Sequence, residues 1–284
     1  MPEEEVRYHM LRPRQAVERR KACPVAYIPL GTLEWHGPHN PLGADTLQAE
    51  DLAILCARKG GGLAFPGLSY ADNRLQCLVD ATATDRTDIA REMELPPSNF
   101  DPEAFPFTVT EQSLDYQRLL LHILAEAETL GFEVAVFVAG HAPLVDMARS
   151  ACLLSNQRTR SRKQGILAWA VFDSGIAKRK YPGLGDHGAG WETSHLLATR
   201  PETVDLSVLP PKGAPIVHCE GAIPPQDATA AFGRETFDYV AGIVVKEARH
   251  RLEHKRFYLA HGQAFVERKW EEDGALGDGV GGRT

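Results

Sequence analysis

The stretch IPLGTLEWHGPHNPLGADT, residues 28–46, sets Glu34, His36, His39 and Asp45 among glycines and prolines. Carboxylates and imidazoles together can hold a divalent cation or exchange protons with a substrate. Glu34 and His36 are two apart, so in an extended segment both side chains leave the backbone on one side and can address one point. Gly37, Pro38, Pro41 and Gly43 turn the loop back and bring Asp45 toward the same point. A mixed oxygen and nitrogen set suits zinc, manganese or iron and is too rich in nitrogen for a calcium cage. Each residue also has an ordinary reading. Asp45, with Gln48 three residues on, forms a capping box for a helix over 46–59, and His36 and His39 are polar loop residues.

Two distant segments offer matching groups. EVAVFVAGHAPL (133–144) puts His141 directly after an apolar run, where on its own it could simply bond a carbonyl. LGDHGAGWETSH (184–195) puts His187 in a glycine loop and Glu192 at the start of a helix, where a carboxylate also complements the helix dipole. Three separate connections thus deliver acids and imidazoles, and their coincidence outweighs any one of them.

The elements between these segments explain how they could meet. VAYIPL (25–30), GGLAFPG (61–67), EVAVFVAG (133–140) and ILAWAVFD (166–173) are near-continuous apolar runs, the pattern of strands covered on both faces. Helical periodicity fills 46–59, 110–132 (closed by Gly131), 143–158, 192–200 and 228–252. The expected fold class is α/β, a three-layer α/β/α arrangement with a mostly parallel central sheet. In such sheets ligands bind beyond the carboxyl ends of the strands, where Glu34, His36 and His141 would lie. Residues 1–284 read as a single domain, with four prolines in 91–107 marking a lid or static loop and a flexible tail over 263–284.

Composition limits the partners. A formal net charge of −7 argues against nucleic acid, and no apolar run approaches the about 20 residues needed to cross a bilayer. The N-terminal MPEEEVRYHM lacks the basic-then-apolar pattern of a secretory signal. Cysteines at 23, 56, 77, 152 and 219 are odd in number and form no CxxC pair, which fits reduced thiols in a cytoplasmic protein. GxSxG, Walker A and HExxH are absent. Glu192-Thr-Ser-His195 has the E-x-x-H spacing of di-iron bundles, but those need two copies on long helices. His195 is expected to pack in its helix or orient a neighbour, and Trp191 to line a pocket.

Together the three segments resemble the creatininase family of creatinine amidohydrolase-like proteins. PLGTLEWHGPHNPLGADT follows the family's first motif, approximately P-x-G-S-x-E-Q-H-G-P-H-L-P-x-x-T-D-T, almost position by position. HGAGWETS follows the third, H-A-G-x-x-E-T-S, whereas AGHAPL follows the second, N-G-H-x-x-N, only in part. The resemblance implies a commonly hexameric α/β protein with a two-metal hydrolytic centre. By motif position it implies Glu34 and His141 on one metal, His36 on the other and Asp45 bridging both. His187 falls where the family has a proton-transferring histidine, and Glu192 where it has a neighbouring ligand or outer acid.

Departures from the family pattern are informative. Pro143 stands where creatininase has a metal-binding glutamate, and Ala139 and Leu144 replace asparagines. SYADNRLQCLVDATA (69–83) lacks the usual Y-G-x-S-x-x-H and F-P-G-T wording. These changes point away from creatinine and leave the second metal short of a ligand unless Glu192 or water fills in. The expected activity is hydrolysis at a carbonyl of a small cyclic substrate, a cyclic amide or related C–N bond, using one or two zinc, manganese or iron ions. The alternatives are C–C cleavage of a cyclic diketone such as an oxidised inositol, and metal binding without turnover. A homo-oligomer, hexameric by resemblance, is the expected assembly.

Overall fold

Four of the apolar runs hydrogen-bond edge to edge. In the computed structural model, which describes residues 4–70, 84–100, 106–162 and 165–259, β1 (Val25–Leu30), β2 (Leu63–Ala64), β3 (Val134–Ala139) and β4 (Leu167–Phe172) form one sheet. The order is β2-β1-β3-β4 and every pair is parallel. Leu30 pairs with Ala139 and Ala139 with Phe172, so β1, β3 and β4 finish level. The segments that follow them start from one rim.

Side chains alternate between the faces with the strand period of two. On one side Tyr27, Val136, Val138 and Trp169 pack with Leu52 and Cys56 of α2 (Ala44–Gly60) and with Phe237, Val240 and Val244 of a long C-terminal helix, Ala230–Glu253. On the other, Ile28, Leu30, Phe137 and Ala170 meet Tyr116, Leu120 and Leu124 of a helix at Val109–Thr129 and Leu144, Ala148 and Ala151 of a helix at Ala142–Arg162. Helices on both faces of a parallel sheet give the expected three layers. In chain order the helices are α1 (Pro13–Ala22), α2, α3 (Arg86–Glu92), α4 (Val109–Thr129), α5 (Ala142–Arg162), α6 (Asp173–Ala177), α7 (Gly190–Thr199), α8 (Ala230–Glu253) and α9 (Lys255–Tyr258). As anticipated, Gly131 closes α4 with a φ of 85° while Phe132 N–H donates back to the Ala127 carbonyl at 3.1 Å.

Several expectations are corrected. α2 begins at Ala44 with Gly43 as its cap, and no side chain caps it. Asp45 therefore lies inside the first turn, and its carboxylate is left for other work. Run 61–67 yields only a two-residue strand, because Gly61 and Gly62 hold φ near 79° and 88° and Pro66 has no N–H to donate. In the 91–107 segment, Phe100 is buried with Ile89 and Ala90 against Trp35, which anchors the part through residue 100. Residues 101–105 and the tail over 263–284 lie outside the described residues.

Gly140, between β3 and His141, fixes how closely β3 approaches the start of α2. A Cβ there would lie 2.0 Å from the Asp45 carbonyl oxygen, and neither backbone can give way. Gly140→Ala is expected to cost about 1–3 kcal/mol of stability as an overpacking substitution, read from urea unfolding of metal-depleted protein. An unchanged unfolding midpoint contradicts this packing.

Candidate metal centre

The loop after β1 is held in place before any ligand chemistry is considered. Glu34 N–H donates to the Leu42 carbonyl at 2.8 Å, closing the loop on itself. Gly31 sits so near α2 that a Cβ would meet the Thr46 backbone nitrogen at 2.4 Å. His39 and Asn40 tie the loop to α7, with His39 Nε2 and Asn40 Nδ2 each 3.0 Å from Thr193 Oγ1. His39, a candidate ligand by composition, thus serves as a clamp between two motifs.

The predicted residues converge. His141 Nδ1 lies 3.1 Å from Glu34 Oε2 and 3.2 Å from Asp45 Oδ2. His36 Nε2 lies 3.0 Å from Asp45 Oδ1 and 3.5 Å from Glu192 Oε2. Asp45 therefore turns one oxygen toward each of two groups. His187 Nδ1 stands 3.9 Å from Glu34 Oε2, and its ring is 4.3 Å from that of His36. Glu34, His36 and Asp45 are at most 2% exposed, and Glu192 is 8% exposed.

Neighbouring acceptors set which nitrogen each imidazole offers. His36 Nδ1 donates to the Glu34 carbonyl at 3.1 Å, and His187 Nε2 to the Trp35 carbonyl at 2.7 Å. A carbonyl only accepts, so His36 Nε2 and His187 Nδ1 are the nitrogens left for the centre. Glu192 is steered from both sides. Its Oε2 accepts from Gly188 N–H at 2.7 Å, and Asp186 accepts from the N–H groups of Trp191 and Glu192 at the N-terminus of α7.

Charges inside this buried cluster are strongly coupled. Burial pushes the Glu34 carboxyl up, but His141 beside it outweighs burial and holds it at about 2. Asp45 is likewise held well below the usual carboxylate range, where His36 and His141 overcome burial. Burial disfavours a charged His141, yet Asp45 and Glu34 raise it to about 10, and His36 is also raised well above its ordinary value, by Asp45 and Glu192 against burial. Glu192 is pushed well up by burial and then by Asp186 and Asp45. His187 is depressed to about 4 by burial and by His36. His187 therefore favours its neutral form, with Nδ1 facing the centre.

This donor set fits divalent cations. Asp45 Oδ2 and His36 Nε2 are buried and make no well-aligned hydrogen bond although partners stand close. Glu34 and Asp45, buried and held as carboxylates, need compensating positive charge. In the absence of a cation, protons on the imidazoles supply it. Glu34, Asp45 and His141 have donor atoms within 4.8 Å of one another, as do His36, His187 and Glu192.

Some residues fall elsewhere. His195 lies outside the cluster, between Gln48 Oε1 and Thr236 Oγ1 at 3.0 Å each and stacked on Phe237, so it joins α2, α7 and α8. The E-x-x-H reading ends there. Trp191 is 2% exposed and packs in the core with Phe232 and His195. Sequence reasoning missed Asp186, His218 and Asp85. Asp186 adjoins His187 in the glycine loop and was legible as a cap for α7. His218 and Asp85 belong to no motif.

A parallel sheet with buried carboxylates and imidazoles at its carboxyl rim defines an α/β protein with a candidate divalent-metal centre. The chain belongs to the family described as Creatininase (creatinine amidohydrolase), which it matches over residues 9–278, and it is a metal-dependent, amidohydrolase-like hydrolase. Among solved structures it is similar to a zinc–zinc form of a creatininase mutant at 20% identity and a TM-score of 0.62, covering 88% of this chain and 98% of that one. A manganese creatininase matches at 20% identity and a TM-score of 0.58, covering 88% and 99%. A creatininase mutant complexed with creatine matches at 20% and 0.58, covering 87% and 98%. At this identity these structures establish the shared fold. Comparison with curated proteins finds no match.

The sign of the pH dependence follows from His141. Its folded pKa of about 10 exceeds the about 6.5 of an unfolded imidazole. Its contribution to stability is therefore complete below about pH 6.5 and is lost as pH rises through about 10. Metal-depleted protein is expected to lose stability across that window, with a flatter profile in His141→Asn. A urea midpoint rising with pH there contradicts the pairing.

Proposed function

We propose that Glu34, Asp45 and His141 hold one divalent ion, that His36, Asp45 and Glu192 hold a second, and that the chain hydrolyses the C–N bond of a small cyclic amide. The observation that carries this reading is the placement of Asp45, whose two oxygens face two different imidazoles at 3.0 and 3.2 Å. Glu192 takes over the role that Pro143 cannot fill, since its Oε2 is 3.5 Å from His36 Nε2. The nitrogen and oxygen donors suit zinc or manganese, and creatininases are known in zinc–zinc and manganese forms. Bound there, such ions supply a Lewis acid for a carbonyl and a water acidic enough to attack near neutral pH.

The protein's own groups supply the proton traffic. Glu34 and Asp45, held as carboxylates, keep the centre anionic. Neutral His187 accepts a proton from the attacking water at Nδ1 and returns it to the departing nitrogen, which is too basic to leave as an anion. Trp35 fixes the ring for both steps by accepting from Nε2.

Surroundings support a homo-oligomer in a reducing, cytoplasmic setting. Leu114, Leu153 and Leu154 lie exposed on α4 and α5, and the described cysteines, Cys23, Cys56, Cys152 and Cys219, form no disulfide with one another. Among the described residues, no helix is long and apolar enough to cross a membrane.

Asp45→Asn is expected to lose both ions and turnover together, and Glu192→Gln to lose one ion of the two. His187→Asn keeps both ions and lowers kcat by about 10²–10⁴-fold, the usual worth of general acid–base catalysis. Metal analysis and a screen of five- and six-membered cyclic amides measure these outcomes. A new amine among the products supports C–N cleavage, whereas a keto acid indicates C–C cleavage of a diketone. Full activity and metal content in Asp45→Asn contradict the scheme.

A further inference from the structure

A third imidazole stands at the edge of the centre. His218 lies in the loop between α7 and α8, with its ring 4.6 Å from that of His187 and nearly perpendicular to it. A ring nitrogen of His218, a nitrogen of His187 and an oxygen of Glu34 all lie within 4.8 Å of one another.

The loop presents His218 in a deliberate way. Its φ is 47°, a left-handed backbone uncommon outside glycine, although asparagine, aspartate and histidine adopt it more readily than other residues. Contacts on both sides hold it there. Trp35 Nε1 donates to the Val217 carbonyl at 2.9 Å, Cys219 Sγ donates to the Gly188 carbonyl at 3.1 Å, and His187 and Glu220 exchange backbone hydrogen bonds at 2.8 and 2.9 Å. Unusual backbone of this kind persists where surrounding structure over-determines it, and it gathers at ligand sites.

Asp85, 133 residues away in sequence, completes the arrangement. Its two oxygens lie 2.9 and 3.1 Å from His218 Nδ1. A carboxylate accepts from Nδ1–H and leaves Nε2 as the free donor nitrogen, the relation that outer carboxylates have to metal-binding histidines. His187 has the same relation to the Trp35 carbonyl. Two imidazoles with assigned tautomers and one carboxylate therefore share a small space.

We propose that Glu34, His187 and His218 form a third divalent-cation position, with Asp85 as the carboxylate that orients His218. The position rests on the two-ion reading above, because it borrows Glu34 from the first ion. That sharing, and the partial exposure of His218, make it the weakest of the three. An ion there occupies the His187 nitrogen that accepts the proton, so the position is inhibitory and fills at excess zinc.

Equilibrium dialysis of untagged, metal-depleted protein against graded free zinc, with bound zinc counted, tests this directly. Wild type is expected to take up two equivalents tightly and a third more weakly. His218→Asn, chosen because asparagine tolerates the left-handed backbone, loses the third equivalent and keeps the first two, which also shows that the variant is folded. Asp85→Asn weakens the third equivalent alone by about 10–100-fold. Two equivalents in wild type, or a third that survives in His218→Asn, overturns the proposal and leaves the two-ion reading standing. No bound zinc in any protein removes both.

Discussion

One buried carboxylate, Asp45, governs the rest of the centre. It is 1% exposed and faces His36 through one oxygen and His141 through the other. A charge so far from water is tolerated only when positive partners surround it. Glu34 and Glu192 add further acid, so the imidazoles take up protons when no cation is present and must give them up when one binds. Folding, protonation and metal binding are therefore a single linked equilibrium.

The fold supplies this convergence through close backbone approach. β1 and β3 end level, with Leu30 opposite Ala139, and glycine follows each. Gly31 admits the start of α2 on one side, and Gly140 admits the Asp45 carbonyl on the other. The third component, α7, is locked on by His39 and Asn40 through Thr193, and by Gly188, whose Cβ position would meet the His36 backbone at 2.8 Å. Residues of the first motif that touch no candidate ion thus serve to hold the third motif against it.

What could be read from the sequence was what a local rule encodes. The apolar runs announced a parallel sheet because both faces are covered, and the edge after each strand pointed to Glu34, His36 and His141. The residues that fooled local reasoning did so for tertiary reasons. Asp45 and Gln48 have capping-box spacing, but α2 starts two residues earlier, and Gln48 instead meets His195 across 147 positions. Trp191, beside Glu192, was expected in a pocket, yet the first turn of α7 points it into the core. His218 and Asp85 sit in unpatterned segments and are paired only by the fold, so no spacing could have announced them.

The central claim is that Asp45 lies between two ions rather than in a purely protonic cluster. Anomalous diffraction at the zinc edge, from crystals grown with zinc, tests it most directly. The account predicts two peaks flanking the Asp45 carboxylate, one bonded to Glu34 and His141 and the other to His36 and Glu192, at the about 2.0–2.2 Å usual for zinc with oxygen and nitrogen. A centre without anomalous signal, or zinc bound only elsewhere with Asp45 still paired to protonated histidines, would contradict it.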